Sequence, residues 1–211
     1  MLRYIHGTEL SRHPQLRDTM FRDRADQFHT RLGWEVDVDH GGEERDEYDR
    51  LDPLYVIWQN ADGGHGGSMR FLPTAGPTML NDHFLHLLDG NPLRNPLIWE
   101  CTRFCLARNA APRVSAALML GGAEIGLAQG LSFSVGVFDA RMVRIYSRLG
   151  WTPMVMGSEG QGRDAISAGL WAFSQATADT LARRAGIPRE TSRLWYRRDI
   201  GGAAAALQRI A

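Results

Sequence analysis

The stretch Leu97-Ile98-Trp99-Glu100-Cys101-Thr102-Arg103-Phe104-Cys105-Leu106 constrains the fold more than any other part of the chain. It is dense in β-branched and aromatic residues and free of Gly and Pro, so it reads as a strand. Yet Glu100 and Arg103 stand inside its apolar run. Charged side chains are almost never fully buried unless paired. Alternation along a strand sends positions 100 and 103 to opposite faces, whereas a β-bulge would bring both to one face. Charge in a segment built for packing is expected of a functional strand. The plain structural alternative is a buried pair satisfied by loop backbone.

Around that strand the pattern alternates. Residues 2–6 read as a short edge strand. From Glu9 to Arg31 the apolar spacing turns helical, through Leu16, Met20, Phe21, Phe28 and Leu32, with Arg24 and Phe28 one turn apart. Residues 37–52 are acidic and poor in apolar residues, a long loop; most of its charges read as a solvated face. Leu54–Gln59 and Ser68–Leu72 read as a hairpin pair across a glycine-rich turn, the second strand carrying Arg70, which needs an anion. A short helix is expected near Leu80–Leu88. Pro112 opens an apolar helix that runs to about Gln129, and residues 131–138 form a buried strand. Asp139 caps the helix after it, and Gly150 ends that helix. Two strands follow at 153–157 and 164–173, then helices from Ala176 and near Glu190–Tyr196. This order implies a mixed α/β fold in three layers (α/β/α), a largely antiparallel sheet with helices on both faces.

A length of 211 residues suits one domain spanning 1–211, with a weakly ordered tail from about residue 200. The net charge is zero, so no global field favours nucleic acid or a membrane surface. All 24 basic residues are Arg. Cys101 and Cys105 lie too far apart along a strand to bridge. No apolar run approaches a membrane span or a signal peptide. A reducing, cytoplasmic setting is the expectation.

The sequence lacks GxxxxGK[ST], GxGxxG, GxSxG and HExxH, and it has no Cys/His spacing that suggests a metal site. What remains is a scattered set: Arg24, Phe28, Trp34, Asp46, Asp49, Arg70, Glu100 and Arg103. Each has a dull explanation alone. Together they suit a zwitterionic or cationic small molecule, with carboxylates for an ammonium, arginines for a carboxylate and an aromatic over a cation. Arg141, Arg144 and Arg148 fall at i, i+3 and i+7 of a helix. They form one basic face, either solvated or fit for an acidic partner.

The spacing Arg24-x3-Phe28-x5-Trp34, then Glu44-x-Asp46-x2-Asp49, then Gly67-x2-Arg70-x-Leu72-Pro73, then Trp99-Glu100-x2-Arg103-Phe104 resembles the acyl-homoserine-lactone synthases, the autoinducer synthases of bacterial quorum sensing. These motifs span about the first half of the chain; the second half matches in layout. Thr102 stands where Ser is usual, keeping the hydroxyl, and Phe71 where Leu is usual.

The resemblance implies a fold like the GNAT acyltransferases. It implies two substrates, S-adenosylmethionine and a fatty acyl chain on acyl carrier protein, and no metal or separate cofactor. The methionyl amine would attack the acyl thioester, and the methionyl carboxylate would then close onto its own γ-carbon and expel methylthioadenosine. Under it Glu100 is the candidate catalytic base for the amine, acting through a water, and Arg103, also catalytic, holds either the substrate carboxylate or the acidic loop, as does Arg24. Arg24, Phe28, Trp34, Asp46, Asp49 and Arg70 bind the adenosyl substrate, with Asp46 and Asp49 pairing with Arg70 and Arg103 to close the loop. Phe104, Leu118, Met119, Val137 and Met154 line the acyl chain, and Arg141, Arg144 and Arg148 dock the acidic carrier. Two rival readings are a GNAT-type N-acetyltransferase using acetyl-CoA and a non-enzymatic small-ligand module. Against the first, Ala107–Pro112 stands where a glycine-rich pyrophosphate turn belongs.

Overall fold

The structure is a computed structural model that describes residues 1–162 and 165–201. The tail expected to be weakly ordered lies, from Gly202 on, outside the described residues. Seven strands form one sheet: β1 Leu2–His6, β2 Leu54–Gln59, β3 His65–Pro73, β4 Ile98–Leu106, β5 Phe133–Asp139, β6 Met154–Glu159 and β7 Ile166–Ala172, in the order β1-β2-β3-β4-β5-β7-β6. Every pairing is antiparallel except β4 with β5. The helices are α1 Pro14–Arg24, α2 Met79–His83, α3 Arg113–Gln129, α4 Ala140–Leu149, α5 Gln175–Ala185 and α6 Arg189–Tyr196.

Strand alternation divides the apolar residues between the two sheet faces. Leu2, Tyr4, Val56, Trp58, Met69 and Phe71 pack against α3, α5 and α6. Ile5, Tyr55 and Ile57 face the other way, onto Leu16, Met20 and Phe21 of α1. A third cluster joins Leu80 and Leu87 to Ile98, Val135 and Ala168. Three layers result, as expected.

The expected Glu9–Arg31 helix is three segments. A 3₁₀ run at Gly7–Arg12 precedes α1, and a π-helical run at Ala25–Arg31 follows it. Pro14 lacks the N–H that would continue the first segment, so α1 restarts there. The two later helix signals hold: Asp139 accepts from the amides of Arg141 and Met142, and Gly150 takes the left-handed cap at φ +88°.

Two irregularities of β4 matter for function. Ser68 pairs with Cys105 and Arg70 with Thr102, so Arg103 and Phe104 together oppose Met69. This is a β-bulge, and Arg103 sits in it at φ +53°. The bulge resets the alternation. Trp99, Cys101, Phe104 and Leu106 pack against the α3 core, while Glu100, Thr102 and Arg103 share the opposite face. Second, the ladder between β4 and β5 ends after the pair Glu100 and Val135. Beyond it β4 pairs with β3, and β5 with β7. Glu100 therefore stands at the point where the two parallel strands part.

Candidate active site

Three arginines and three carboxylates close into a ring beneath the acidic loop. Arg24 donates through Nε to Glu44 at 2.5 Å and through both terminal nitrogens to Asp49 at 3.0 Å. Arg70 binds Asp49 at 2.8 Å and holds both oxygens of Asp46. Arg103 binds Glu44 and Asp46, each at 2.9 Å. Each guanidinium thus serves two carboxylates and each carboxylate two guanidiniums, and the formal charges cancel. Such closure is what makes the burial tolerable: Arg24 and Arg70 are each 1% exposed and Glu44 is fully buried.

Neighbours complete the ring. Thr102 accepts from Arg70 Nε at 3.0 Å, and the Tyr55 hydroxyl donates to Asp49 at 2.5 Å. Asp46 and Asp49 also cap the short 3₁₀ turn Glu47–Arg50, Asp46 accepting from the amide of Tyr48 and Asp49 from that of Asp46. The acidic loop is therefore folded by the arginines rather than solvated, as far as Glu44, Asp46 and Asp49 are concerned.

The pairings expected for Asp46 and Asp49 are present. Of the two roles open to Arg24, substrate carboxylate or loop, its ion pairs go to the loop, and Arg70 likewise pairs with loop carboxylates below the surface. Arg103 and Asp46 keep some side-chain exposure, 12% and 11%. Sequence reading gave Glu44 no role, although it is the deepest acid of the ring. Its signal was its position in the same acidic run, two residues before Asp46.

Burial opposes the ionisation of Asp49, but Arg24 and Arg70 outweigh it and hold its carboxyl well below the usual carboxylate range. A depressed native pKa contributes stability that is present above the unfolded value, about 4, and is lost as pH falls through the native one. The unfolding midpoint in urea should accordingly fall steeply below about pH 4. An Asp49→Asn variant, already lacking that carboxylate, should show a shallower acid decline.

Glu100 is buried, and its two oxygens accept from the amides of Met79 at 3.0 Å and Leu80 at 2.6 Å. It thereby caps α2 from a neighbouring strand. Burial pushes its pKa up to about 7, against the pull of those two amides and of Arg70, with Asp82 adding to the rise. The bulge brings Arg103 to the face of Glu100, yet the two do not pair. Met79 lies between them: its amide serves Glu100 and its sulfur lies 3.9 Å from Arg103 Nη1.

Phe28 and Trp34 stack at 5.2 Å with an interplanar angle of 10°. The Arg103 guanidinium lies over the Phe28 ring at 5.4 Å, and Trp34 is 44% exposed. An aromatic platform therefore adjoins the ring at Arg103. A surface cavity of about 350 Å³ borders Trp34, lined also by His29, Gly33, Glu35, Val36 and Asp37; its lining includes no ring residue.

The expected acyl set divides. Phe104, Leu118 and Met119 gather in the core on the α3 face. Val137 is corrected, because β5 alternation places it with Val135 on the other face, against Leu80 and Ile98. Met154 is corrected too: it is 60% exposed on the edge strand β6. Arg141, Arg144 and Arg148 are exposed on α4, Arg141 also binding Asp139 at 2.7 Å.

One constellation was missed altogether. His65 lies 2.7 Å from Asp23 and 3.0 Å from the Ser68 hydroxyl. The order resembles a nucleophilic triad, but Ser68 and His65 are both buried. Burial also pushes the His65 pKa down. The set ties α1 to β3 beside Arg24.

Comparison with known proteins identifies the family of the chain. The family model described as autoinducer synthase matches residues 8–181. An acyl-homoserine-lactone synthase of Rhizobium etli is 39% identical over 197 residues, covering 90% of this chain and 91% of that protein. Among solved structures, the CoA-dependent acyl-homoserine lactone synthase BjaI with SAM and isopentyl-CoA superposes at a TM-score of 0.79 with 25% identity, covering 89% and 90% of the two chains. An N-acetyltransferase from Lactobacillus plantarum shares the fold at a TM-score of 0.55 and 11% identity, covering 82% of this chain and 99% of its own. The ring, the platform and the strand-borne glutamate thus stand in a GNAT-like acyltransferase, and the chain belongs to the acyl-homoserine-lactone synthases.

Proposed function

We propose that the protein makes an N-acyl-homoserine lactone from S-adenosylmethionine and an acyl chain on acyl carrier protein. One observation carries the reading of the site: Met79 joins Glu100 to Arg103. The α-amine and α-carboxylate of a methionyl group share one carbon, so a base for the first and a cation for the second must be neighbours. Arg103 Nη1, whose one hydrogen bond among the described residues is the long one to sulfur, has capacity for that carboxylate. The Phe28–Trp34 platform suits the adenine or the sulfonium.

In the acylation step the ammonium gives up a proton to Glu100, directly or through a water, and the resulting amine attacks the thioester carbon. The C–N bond forms, the C–S bond breaks, and the departing thiolate takes the second proton lost by the nitrogen, so that the carrier leaves as a thiol. A pKa near 7 fits a base that must accept and return a proton at neutral pH. In the second step the carboxylate oxygen attacks the γ-carbon, and the bond to the sulfonium breaks. Neutral methylthioadenosine departs, so this step needs position more than acid–base help. No further cofactor is needed for either.

Two features support a carrier protein as donor. The exposed arginines of α4 suit its acidic surface. The link from β4 to α3 ends in Pro112, which has no N–H, and its Arg108 is engaged by Asp26, so it makes a poor pyrophosphate cradle. A CoA donor is the second reading, favoured by the likeness to BjaI. Kinetics with acyl-carrier protein and acyl-CoA of one chain length, read by mass spectrometry of the lactone, tests both. The proposal expects a much higher kcat/KM with the carrier, and a rise in its KM on the order of ten-fold for Arg144→Glu, with a flatter salt dependence. Equal use of both donors and an unchanged KM would return the arginine face to solvent. No lactone from either donor would overturn the function.

A further inference from the structure

We infer that the Thr78 hydroxyl is a second polar group of the base site, holding a water between Glu100 and the substrate amine. This rests on Glu100 being the base. Thr78 precedes α2 in extended conformation, at φ −145° and ψ 150°, where a threonine normally turns its hydroxyl onto the amides of the first turn. Here the first two of those amides are taken. Met79 and Leu80 donate to Glu100, so the carboxylate occupies the cap position that belongs to Thr78. The hydroxyl and the carboxylate thus share one turn of backbone.

Thr78 is fully buried, and its Oγ1 has no hydrogen-bond partner among the described residues. A buried, unpaired hydroxyl is destabilising. Valine has the same shape without that cost, so packing alone gives no reason for threonine. A water bound there would have Thr78 Oγ1 and a Glu100 oxygen as two fixed partners. The incoming amine would be the third, enough to hold it. Proton flow then runs from the ammonium to the water and from the water to Glu100. Thr78 stays unchanged and acts as a positioning residue.

Thr78→Ser and Thr78→Ala differ only in the hydroxyl, and Thr78→Val keeps the shape. All three would be prepared as full-length protein beside Glu100→Gln. The measurements are acylation kcat, affinity for S-adenosylmethionine and thermal midpoint. Thr78→Ser should keep kcat within about three-fold. Thr78→Ala and Thr78→Val should lose about ten- to a hundred-fold, within the range of proton-transfer contributions, with affinity nearly unchanged. Thr78→Val should melt no lower than the wild type. Equal kcat in Thr78→Ser and Thr78→Ala, with Glu100→Gln inactive, would overturn the inference alone. A fully active Glu100→Gln would instead remove the base and this inference with it.

Discussion

Replacing Glu44 by Gln is expected to lower the unfolding free energy by about 3–5 kcal/mol, the range for breaking a buried ion pair. Glu44 is fully buried and answers two guanidiniums, at Arg24 and Arg103. Glutamine keeps the shape and one acceptor oxygen, but it leaves the six-membered set with an uncancelled positive charge. Arg24 has almost no exposure through which water could compensate. The loss should appear as a lower urea midpoint with an unchanged slope. A loss under about 1 kcal/mol would mean that water enters the ring and that its closure is not what folds the loop. This does not make the ring a superior source of stability. Buried ion pairs are often no better than apolar packing of the same volume. What the ring supplies is a fixed course for the loop from Gly33 to Asp52, with Arg103 and Asp46 left at its rim.

The second large effect concerns rate. Glu100→Gln should reduce kcat/KM by about 10²–10⁴-fold, the usual contribution of a positioned general base. Glutamine imitates the protonated carboxyl, so the fold should persist. The wild-type kcat/KM should rise with pH through an apparent pKa near 7. That limb reflects burial raising the carboxyl, with Asp82 adding to it and Met79, Leu80 and Arg70 opposing it. In Glu100→Gln the limb should vanish. Asp82→Asn should move it to lower pH, because a negative charge that disfavours ionisation is gone. A Glu100→Gln enzyme of near-normal rate would make the glutamate a cap of α2 and nothing more.

Much of this site was legible in the sequence because charge inside an apolar strand has few outlets. Arg70 and Arg103 demanded anions, and the acidic run 37–52 was the one stretch able to supply several. The bulge at Arg103 was foreseen as an alternative, since two charges three residues apart share a face only if the alternation slips. Periodicity does not reveal which acid reaches which arginine, so Glu44 stood in the acidic motif without a role. Nor does it say that Glu100 closes the first turn of α2, because the contact spans 20 and 21 residues of chain with no repeating pattern to link its ends. Val137 and Met154 were misplaced for a related reason: apolar character says that a residue packs, while strand phase and sheet order decide where. Asp23, His65 and Ser68 come from two elements without a shared motif, so only the fold unites them.

On the proposed function, S-adenosylmethionine binds between the ring-folded loop and the β4 face. Calorimetric titration of that substrate into wild type, Trp34→Ala and Arg103→Met tests it most directly. The account predicts one site per chain in the wild type, with affinity at least ten-fold weaker in each variant. Binding of equal strength in all three, or none in a folded wild type, would contradict it.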